Sequence, residues 1–480
     1  MRMMNTEQKL EKPILTEDVT FRKTDEGPKQ EEWNWVDSRQ LQDEDVLARP
    51  ANYYEATLSP WKTFPALEHD CECDMVVVGG GLLGASTALH LSESGVETIL
   101  LEKNKVGSAA SGRNGGQLTP GLARWEAESI IENFDYDEAC RLWKFTSIES
   151  FDLIQEITEH YALDLDMRRG HLTAAIHPGH INALTVGADA RRYLGDDSVR
   201  ILGPYEIRDH INSELYYGGA LDKIGGQIHS LGLTRGLIYG FVKNGGHVYE
   251  DSEVLKIETV SDGVSIETAQ GKILAKKGVV LAVHHTTFQL LSDVNSTIPF
   301  YTYVGVTNPI EGGSKTLLPT QMAVYDTQLQ IDYYRPVRKE RILFGGQGTG
   351  MRWNSDKVVD YLMSRIKTIF PQRDDIHLEL AWSGTTDLTL NGAVDCRKLG
   401  EKAPIYAVHG WSGHGIAQTV RIGKAIRDDF LKLNDDFEML ASIEHRSILM
   451  GRQLAPVAIP LAKSLLGLGN KITPGKMISF

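Results

Sequence analysis

The sequence predicts an α/β protein (α+β overall) in which a doubly wound domain is interleaved with a mostly antiparallel β-sheet substrate domain. Three observations lead to this fold class. A strand–glycine–helix–strand unit occupies Asp74 to Lys103, strand and helix patterns of the same kind return twice further along the chain, and the segments between them alternate like antiparallel strands. Such interruption is typical of a domain that carries insertions in its loops.

The first unit opens with a buried strand and continues into a helix. Met75 to Val78 is an apolar, β-branched run, which is typical of a parallel strand covered on both faces. A helical pattern then extends to Ser94, and Gly95 is placed to end it. Thr98 to Leu101 predicts a second strand, so the segment has the order strand, helix, strand.

Glycines at G-x-G-x-x-G spacing join the first strand to the helix. Gly79 suits the tight turn, Gly81 lets the backbone approach a pyrophosphate on the helix N-terminus, and Gly84 lets helix and strand pack closely. Glu102, at the end of the second strand, can accept a hydrogen bond from a ribose hydroxyl. The segment therefore predicts a dinucleotide-binding unit. It does not separate FAD from NAD, because both carry an ADP half.

The residues after the second strand favour a long cofactor. Gly107 to Gln117 is rich in Gly, Ser and Asn, and it offers backbone N–H groups close to the strand end. Such a segment suits a cofactor whose far end is reached by loop backbone. A flexible surface loop is the alternative interpretation.

The composition excludes several classes of protein. The chain has 480 residues, 41% hydrophobic and 24% charged, with a net charge of −14, which suits a soluble enzyme and not a nucleic-acid-binding protein. The four cysteines do not have metal-site spacing, so no metal is expected, and they fit a cytoplasmic location: Cys71, Cys73, Cys140 and Cys396. No apolar run is long enough to span a membrane.

Beyond the first unit, helical and alternating patterns succeed one another. Helices are predicted over 127–160, 181–194, 205–211, 231–243, 356–370 and 416–433, and strands over 163–175, 247–250, 254–259, 264–268, 279–282, 300–308, 322–326, 331–335, 342–345 and 405–408. The glycine-rich segment 410–415 lies between the last strand and helix, so that helix N-terminus can face another part of the cofactor.

These patterns divide the chain into discontinuous domains with a cleft between them, the usual place for a ligand. The dinucleotide-binding domain comprises 51–122, 223–298 and 380–440, the substrate domain 123–222 and 299–379, and the ends are an extension (1–50) and an apolar segment (441–480). The extension is a disordered tail or an arm that packs on the body or on a partner. Leu454 to Leu468 is broken by Pro456 and Pro460, and it packs on the body, contacts a membrane surface or contacts a subunit of a homo-oligomer.

Several motifs resemble those of the D-amino-acid-oxidase-like FAD-dependent oxidoreductases, and within them the gamma-glutamylputrescine oxidoreductases. The resemblance extends from about Tyr53 to the C-terminus. It is carried by the glycine triplet with Glu102 and by four further stretches: ASGRNGGQL (110–118), GGQIHSL (225–231), DYYR (332–335) and GWSGHG (410–415).

The resemblance implies non-covalent FAD held by the doubly wound domain. The ADP half would lie against Gly79, Gly81, Leu82, Leu83, Gly84, Glu102, Lys103, Val254 and Ala282. The ribityl chain and flavin would lie against Ser111, Arg113, Asn114, Gly115, Gly116 and Gln117, and the pyrimidine edge against Gly410, Gly413, His414, Gly415 and Ile416. His229, Tyr334 and Arg335 are the candidate catalytic residues, and Tyr333 is expected beside them at the substrate cleft, with packing in the core as the alternative for the two tyrosines.

The reaction implied is oxidation of an amine to an imine that hydrolyses to an aldehyde. Related oxidases of α-amino acids hold the substrate carboxylate with an arginine, but the corresponding stretch here, Ala381 to Asp387, contains threonines and an aspartate. An extended amine such as gamma-glutamylputrescine is therefore expected, unless Arg335 or Arg338 restores the carboxylate partner.

Oxygen is the expected electron acceptor, and two alternatives remain. One is oxidation of a small, cyclic or N-methyl amino acid (glycine, sarcosine or pipecolate type) with transfer of electrons to a carrier. It is favoured by Leu343, which stands where sarcosine-oxidase-like relatives carry an oxygen-activating lysine. The other is a non-catalytic, flavin-loaded subunit of an assembly.

Overall fold

The computed structural model describes residues 52–58, 63–400, 402–448 and 451–477, so the predicted N-terminal arm lies outside the described residues. The strands are β1 Cys71–Val78, β2 Thr98–Leu101, β3 Gln117–Leu118, β4 Arg168–Ala174, β5 Val199–Leu202, β6 Gly219–Gln227, β7 His247–Tyr249, β8 Lys256–Val260, β9 Gly263–Glu267, β10 Lys272–Leu281, β11 Thr297–Thr307, β12 Ala323–Asp326, β13 Asp332–Val337, β14 Arg341–Thr349, β15 Leu378–Thr389, β16 Asp395–Leu399 and β17 Ile405–His409.

The helices surround these strands and follow them in alternation. They are α1 Tyr53–Thr57, α2 Leu82–Glu93, α3 Ala127–Asn133, α4 Tyr136–Lys144, α5 Ser150–His160, α6 His180–Tyr193, α7 Ser230–Lys243, α8 Thr287–Leu290, α9 Ser355–Ile369, α10 Ile416–Phe430, α11 Asp436–Ala441 and α12 Gly451–Ile472. A π-helical turn, Phe145–Glu149, joins α4 to α5. No helix of the described residues is both long and apolar enough to cross a membrane.

Two sheets organise the described residues. The first has the order β16-β17-β10-β1-β2-β7, with the β8–β9 hairpin joined to β10, and its central pairs are parallel. Its strands are apolar because helices cover them, with α2 packed between α7 and α10. The second has the order β15-β11-β14-β13-β12-β4-β6-β3, with β5 on β6, and it is antiparallel except between β12 and β4. The predicted fold class is confirmed.

Several elements differ from the prediction in ways that local chemistry explains. The region 127–160 is not one helix, because Asp135 accepts from the backbone N–H of Glu138 at 2.9 Å and starts α4. β15 was not predicted, and it pairs with β11 in the second sheet although 380–389 had been assigned to the dinucleotide-binding domain. α12 continues through Pro456 and Pro460, each of which removes one backbone N–H donor from the helix.

Asp326 and Asp332 form a buried carboxylate pair at the β12–β13 hairpin, and this pair makes stability depend on pH. Burial, reinforced by the charge of Asp332, raises the pKa of Asp326 from 3.8 to about 8. The folded protein therefore holds the proton of Asp326 more tightly than the unfolded chain does. This difference stabilises the fold fully at pH values below the unfolded-state pKa, and the stabilisation is lost as pH rises through about 8. Asp326→Asn mimics the protonated acid and does not titrate. The difference in free energy of unfolding between Asp326→Asn and wild type should therefore increase by about 1–3 kcal/mol, in favour of the variant, from pH 5 to pH 9.

The measurement is urea unfolding of both proteins at the two pH values. Asp360→Asn, an exposed aspartate on α9, is the matched control and should show no such change. A difference between wild type and Asp326→Asn that is the same at both pH values would show that Asp326 is ionised in the fold throughout.

Candidate functional site

A cavity of about 1020 Å³ lies where the two sheets face each other. One end is lined by the strand ends of the first sheet, including Glu102 and Val254, and we call it the nucleotide end. The other end is lined by the second sheet, including Tyr301, Tyr333 and Ser383, and we call it the sheet end. An elongated cavity between a doubly wound domain and a second domain suits a dinucleotide and a substrate in line.

The turn between β1 and α2 is closed around its glycines. A Cβ on Gly84 would lie 1.9 Å from the carbonyl oxygen of Gly79, and one on Gly81 would lie 2.9 Å from Oγ of Ser111. Gly79 has φ +108°, a backbone conformation that other residues rarely adopt. The N-cap residue Gly81 provides no side-chain cap, so the N-terminus of α2 is directed at the cavity and can accept a diphosphate.

Glu102 is held where a ribose would lie. Its Oε2 accepts from the backbone N–H of Gly80 at 2.7 Å, and its Oε1 accepts from that of Asn104 at 2.8 Å. Burial raises the pKa of Glu102. A carboxylate has about four acceptor positions, so it can also receive a ribose hydroxyl. Lys103 lines the same end and is ion-paired with Glu253 at 2.8 Å.

The loop after β2 crosses the middle of the cavity. Ser111 Oγ accepts from the backbone N–H of Leu82 at 2.8 Å and so ties the loop to the start of α2. Asn114 Oδ1 accepts from the backbone N–H of Gly116 at 2.8 Å, and Gln117 Nε2 donates to the carbonyl of Val324 at 2.8 Å. The loop is therefore ordered by its own side chains, which argues against the alternative of a flexible surface loop.

Two arginines, Arg113 and Arg352, make the sheet end of the cavity cationic. Arg113 donates from Nε to the carbonyl of Ser383 at 2.8 Å, and burial, followed by the charge of Arg352, lowers the pKa of Arg113 to about 10. A third arginine of the lining, Arg124, lies beside the glycine-rich segment 410–415, where its Nε donates to the carbonyl of Ser412 at 3.1 Å, and burial lowers its pKa to about 10 as well. Among the described residues that line the cavity, the acidic ones are Glu102 and Glu253, both at the nucleotide end. The sheet end therefore favours an anion.

The glycine-rich segment before α10 forms the remaining wall, and Asp387 holds it. Asp387 is fully buried, and its two carboxylate oxygens accept from the backbone N–H groups of Gly410 at 2.9 Å and Trp411 at 3.0 Å. His414 lines the cavity, and burial, followed by the charge of Arg124, lowers its pKa to about 4, so the imidazole is neutral at pH 7. Sequence reasoning treated Asp387 as a substrate-binding position and missed this clamp, because its partners are 23 and 24 residues away.

Asp387→Asn should loosen the segment and weaken cofactor binding by about 1–2 kcal/mol, because one amide N–H would then face a backbone N–H. The measurement is titration of FAD-free protein with FAD, followed by fluorescence quenching. Asp374→Asn, an exposed aspartate far from the cavity lining, serves as the control and should bind FAD as wild type does. Unchanged affinity for Asp387→Asn would show that the segment does not need its clamp.

Most of the predicted cofactor residues line one cavity. Those that do so are Gly79, Gly81, Leu82, Leu83, Glu102, Lys103, Ser111, Arg113, Asn114, Gly115, Gly116, Gln117, Val254, Ala282, Gly413, His414, Gly415 and Ile416. Gly84 and Gly410 lie behind the wall, where they shape the turns at the two helix N-termini. Tyr333 lines the cavity as expected.

The structure does not bring the three candidate catalytic residues to the cavity wall, which corrects that expectation. His229 is buried, contacts Thr57 Oγ1 at 3.0 Å through Nε2 and caps α7 through Nδ1. Tyr334 lies in the core, where its hydroxyl donates to the hydroxyl of Tyr216 at 3.0 Å. Arg335 is also buried, and its Nε donates to the carbonyl of Gly115 at 2.7 Å, so it supports the loop from behind.

The two residues offered as alternatives are also placed away from the cavity. Arg338 is ion-paired with Asp164 and does not line the wall, so neither it nor Arg335 replaces the missing carboxylate partner. Leu343 lies on β14, and its side chain is buried in the core. The functional positions that sequence reasoning missed are Arg124, Tyr301, Tyr325 and Arg352, which lie on segments without a recognisable motif.

Comparison with known proteins agrees with this geometry. The family profile described as DAO, FAD dependent oxidoreductase, matches residues 74–428. The chain is 30% identical over 406 residues to the gamma-glutamylputrescine oxidoreductase of Escherichia coli (strain K12), covering 84% of this chain and 94% of that protein. The resemblance seen in the motifs is confirmed.

Solved structures share the fold. Glycine oxidase from Geobacillus kaustophilus superposes with a TM-score of 0.67 at 22% identity, covering 78% of this chain and 100% of that one. L-proline dehydrogenase from P. horikoshii superposes with a TM-score of 0.66 at 16% identity, covering 77% and 96%. At these identities the likeness shows the fold alone.

Proposed function

The chain belongs to the DAO family of FAD-dependent oxidoreductases and acts on CH–NH or CH–NH2 donors, and from that premise we propose that it oxidises the terminal primary amine of a gamma-glutamylated diamine such as gamma-glutamylputrescine. One observation carries the substrate choice. The β15 stretch at the cavity, Ser383 to Thr386, offers hydroxyls and backbone but no cation of its own. Arg113 lies against it with its Nε donated to the carbonyl of Ser383, whereas Arg352 lies on a different segment of the wall. A carboxylate is then held away from β15, at the far end of an extended substrate.

The residues present fit FAD, which supplies a two-electron acceptor for the hydride on the carbon that bears the amine. The N-terminus of α2 would hold the diphosphate, Glu102 the ribose, and the segment before α10 the pyrimidine edge. Arg352 would hold the distal carboxylate of the substrate, since the Nε of Arg113 already donates to the carbonyl of Ser383 on β15.

The protein's part in the reaction is to orient the amine and to keep it neutral. An amine must lose its proton before hydride can leave the neighbouring carbon. The sheet end has two arginines, Arg113 and Arg352, and, among the described lining residues, no carboxylate that would stabilise an ammonium ion. Nearby positive charge lowers the pKa of a bound amine, so the cavity itself favours the reactive form.

We propose that oxygen accepts the electrons. Transfer to a carrier is the second candidate. It is favoured because no lysine lies at the sheet end among the described lining residues, and Leu343, at the position of the oxygen-activating lysine of sarcosine-oxidase-like relatives, is buried in the core. We also propose a cytoplasmic location, in line with the four free cysteines.

The test is anaerobic mixing of the flavin-loaded protein with a panel of amines and amino acids, followed by admission of air. Bleaching by gamma-glutamylputrescine and rapid recovery in air are expected. Bleaching without recovery would identify a dehydrogenase. Bleaching by glycine, sarcosine or pipecolate alone would reject the substrate, and no bleaching by any compound would indicate a non-catalytic subunit.

The FAD is proposed to be non-covalent. None of the four cysteines lines the cavity, so no thiol of this chain is placed to tether a flavin there. Acid precipitation of the holoprotein should therefore release the yellow colour into the supernatant. Colour that remains in the pellet would show a covalent link through another side chain, such as a histidine or tyrosine.

A further inference from the structure

α12 carries a row of exposed aliphatic side chains along its length, which we call the outer row. Its members follow one another at three- and four-residue steps, and their exposed fractions range from 49% at Leu454 to 71% at Ile472. At 1.5 Å per residue the row is about 27 Å long. It consists of Leu454, Val457, Leu461, Leu465, Leu468 and Ile472. An apolar face of this size on the surface of a protein indicates a binding surface.

The opposite side of α12 is attached to the body, so the outer row is held outward. Ile459 is buried in a small apolar cluster with β11. Lys463 Nζ donates to Oε1 of Gln347 at 2.5 Å, and Gln347 lines the cavity. Beyond the helix, the carbonyl of Pro474 lies 3.0 Å from Nε2 of His180. These contacts are spread along the helix and its C-terminal extension, so the helix cannot rotate to bury the row without losing them.

The charge of this part of the chain is opposite to that of the rest. From His445 to the last residue the sequence contains no aspartate or glutamate, although the whole chain has a net charge of −14. The basic residues in that range are Arg446, Arg452, Lys463, Lys471 and Lys476, of which Lys463 faces Gln347 on the body and does not add to the outer charge. A cationic helix with an aliphatic face matches the chemistry of an anionic lipid surface, where acyl chains take up the apolar side chains and headgroups the cations.

We propose that α12 docks this protein on the surface of anionic membranes, with the outer row in the boundary between headgroups and acyl chains. Pairing of two copies of α12 is disfavoured, because it would bring two helices of purely positive charge together. The helix lies on the surface and does not span the bilayer. The proposal is independent of which amine the cavity accepts.

The test is vesicle flotation with the full-length, flavin-loaded protein. Vesicles of phosphatidylcholine with about 30 mol % phosphatidylglycerol are compared with vesicles of phosphatidylcholine alone. Wild type should float with the anionic vesicles and be released by high salt in part only, because the aliphatic contact does not depend on salt. The double variant L461D/L465D should lose vesicle binding by at least about tenfold while retaining flavin content and turnover.

Matched variants separate lipid binding from other causes. Leu433→Asp changes a leucine of α10's C-terminal flank that is 63% exposed, as Leu465 is, and it should bind vesicles as wild type does. K471E/K476E should bind anionic vesicles less tightly than wild type does, and no more tightly than it binds vesicles of phosphatidylcholine alone. Failure of wild type to float with anionic vesicles overturns the proposal. So does a change of lipid-free molar mass by light scattering in L461D/L465D, which would assign the outer row to a second copy of the chain.

Discussion

Gly81→Val should purify without flavin, with affinity for FAD reduced at least about a thousandfold. A side chain at this position would lie 2.9 Å from Oγ of Ser111 before its own methyl groups are counted. It would also fill the approach of a diphosphate to the N-terminus of α2, where Gly81, Leu82 and Leu83 line the cavity. The measurement is the ratio of flavin absorbance to protein absorbance after purification, and titration of the protein with FAD.

The control is a glycine with room for a side chain. A Cβ on Gly203 would meet only Oε2 of Glu206, at 3.7 Å, so Gly203→Val should retain flavin. Circular dichroism establishes that Gly81→Val is folded. A folded Gly81→Val with normal flavin content would show that the diphosphate does not lie at this turn.

Arg352→Met should raise the Kd for gamma-glutamylputrescine about 30-fold or more and leave that for putrescine unchanged. The reason is that putrescine has no carboxylate, whereas loss of the cation would remove the charged hydrogen-bond partner of the glutamyl carboxylate. Arg352 is exposed, so the substitution should not disturb the fold. The measurement is the concentration dependence of flavin bleaching by each amine in anaerobic rapid mixing.

Arg208→Met, an exposed arginine outside the cavity lining, is the matched control and should behave as wild type with both amines. An equal loss of affinity for both amines in Arg352→Met would indicate a general disturbance of the cavity. No loss for either would show that the carboxylate is held elsewhere, with Arg113 the next candidate.

The dinucleotide-binding unit could be predicted from the sequence because its determinants are local. The strand, the glycine turn and the helix follow one another from Met75 to Ser94, and each glycine has a steric reason that spacing alone reveals. Glu102 is also fixed by its position at the end of the next strand. No long-range contact is needed to recognise any of these residues.

The place of Tyr334 could not be predicted because neighbouring side chains of a strand point to opposite faces. The DYYR motif lies on β13, where Tyr333 faces the cavity and Tyr334 faces the core. The sequence alone does not show which face of β13 lies toward the cavity and which lies toward the core. Asp387 and Arg352 were missed for a related reason, since their roles depend on segments that only the fold brings together.

The central claim, an extended amine with a distal carboxylate, is tested most directly by anaerobic rapid mixing of the holoprotein with gamma-glutamylputrescine and, separately, with glycine. This measurement does not depend on the electron acceptor. The second-order rate constant for flavin reduction should be at least about a hundredfold larger for gamma-glutamylputrescine, because a carboxylate next to the reacting amine has no cation on β15. A larger constant for glycine would contradict the claim and leave the FAD-binding fold intact.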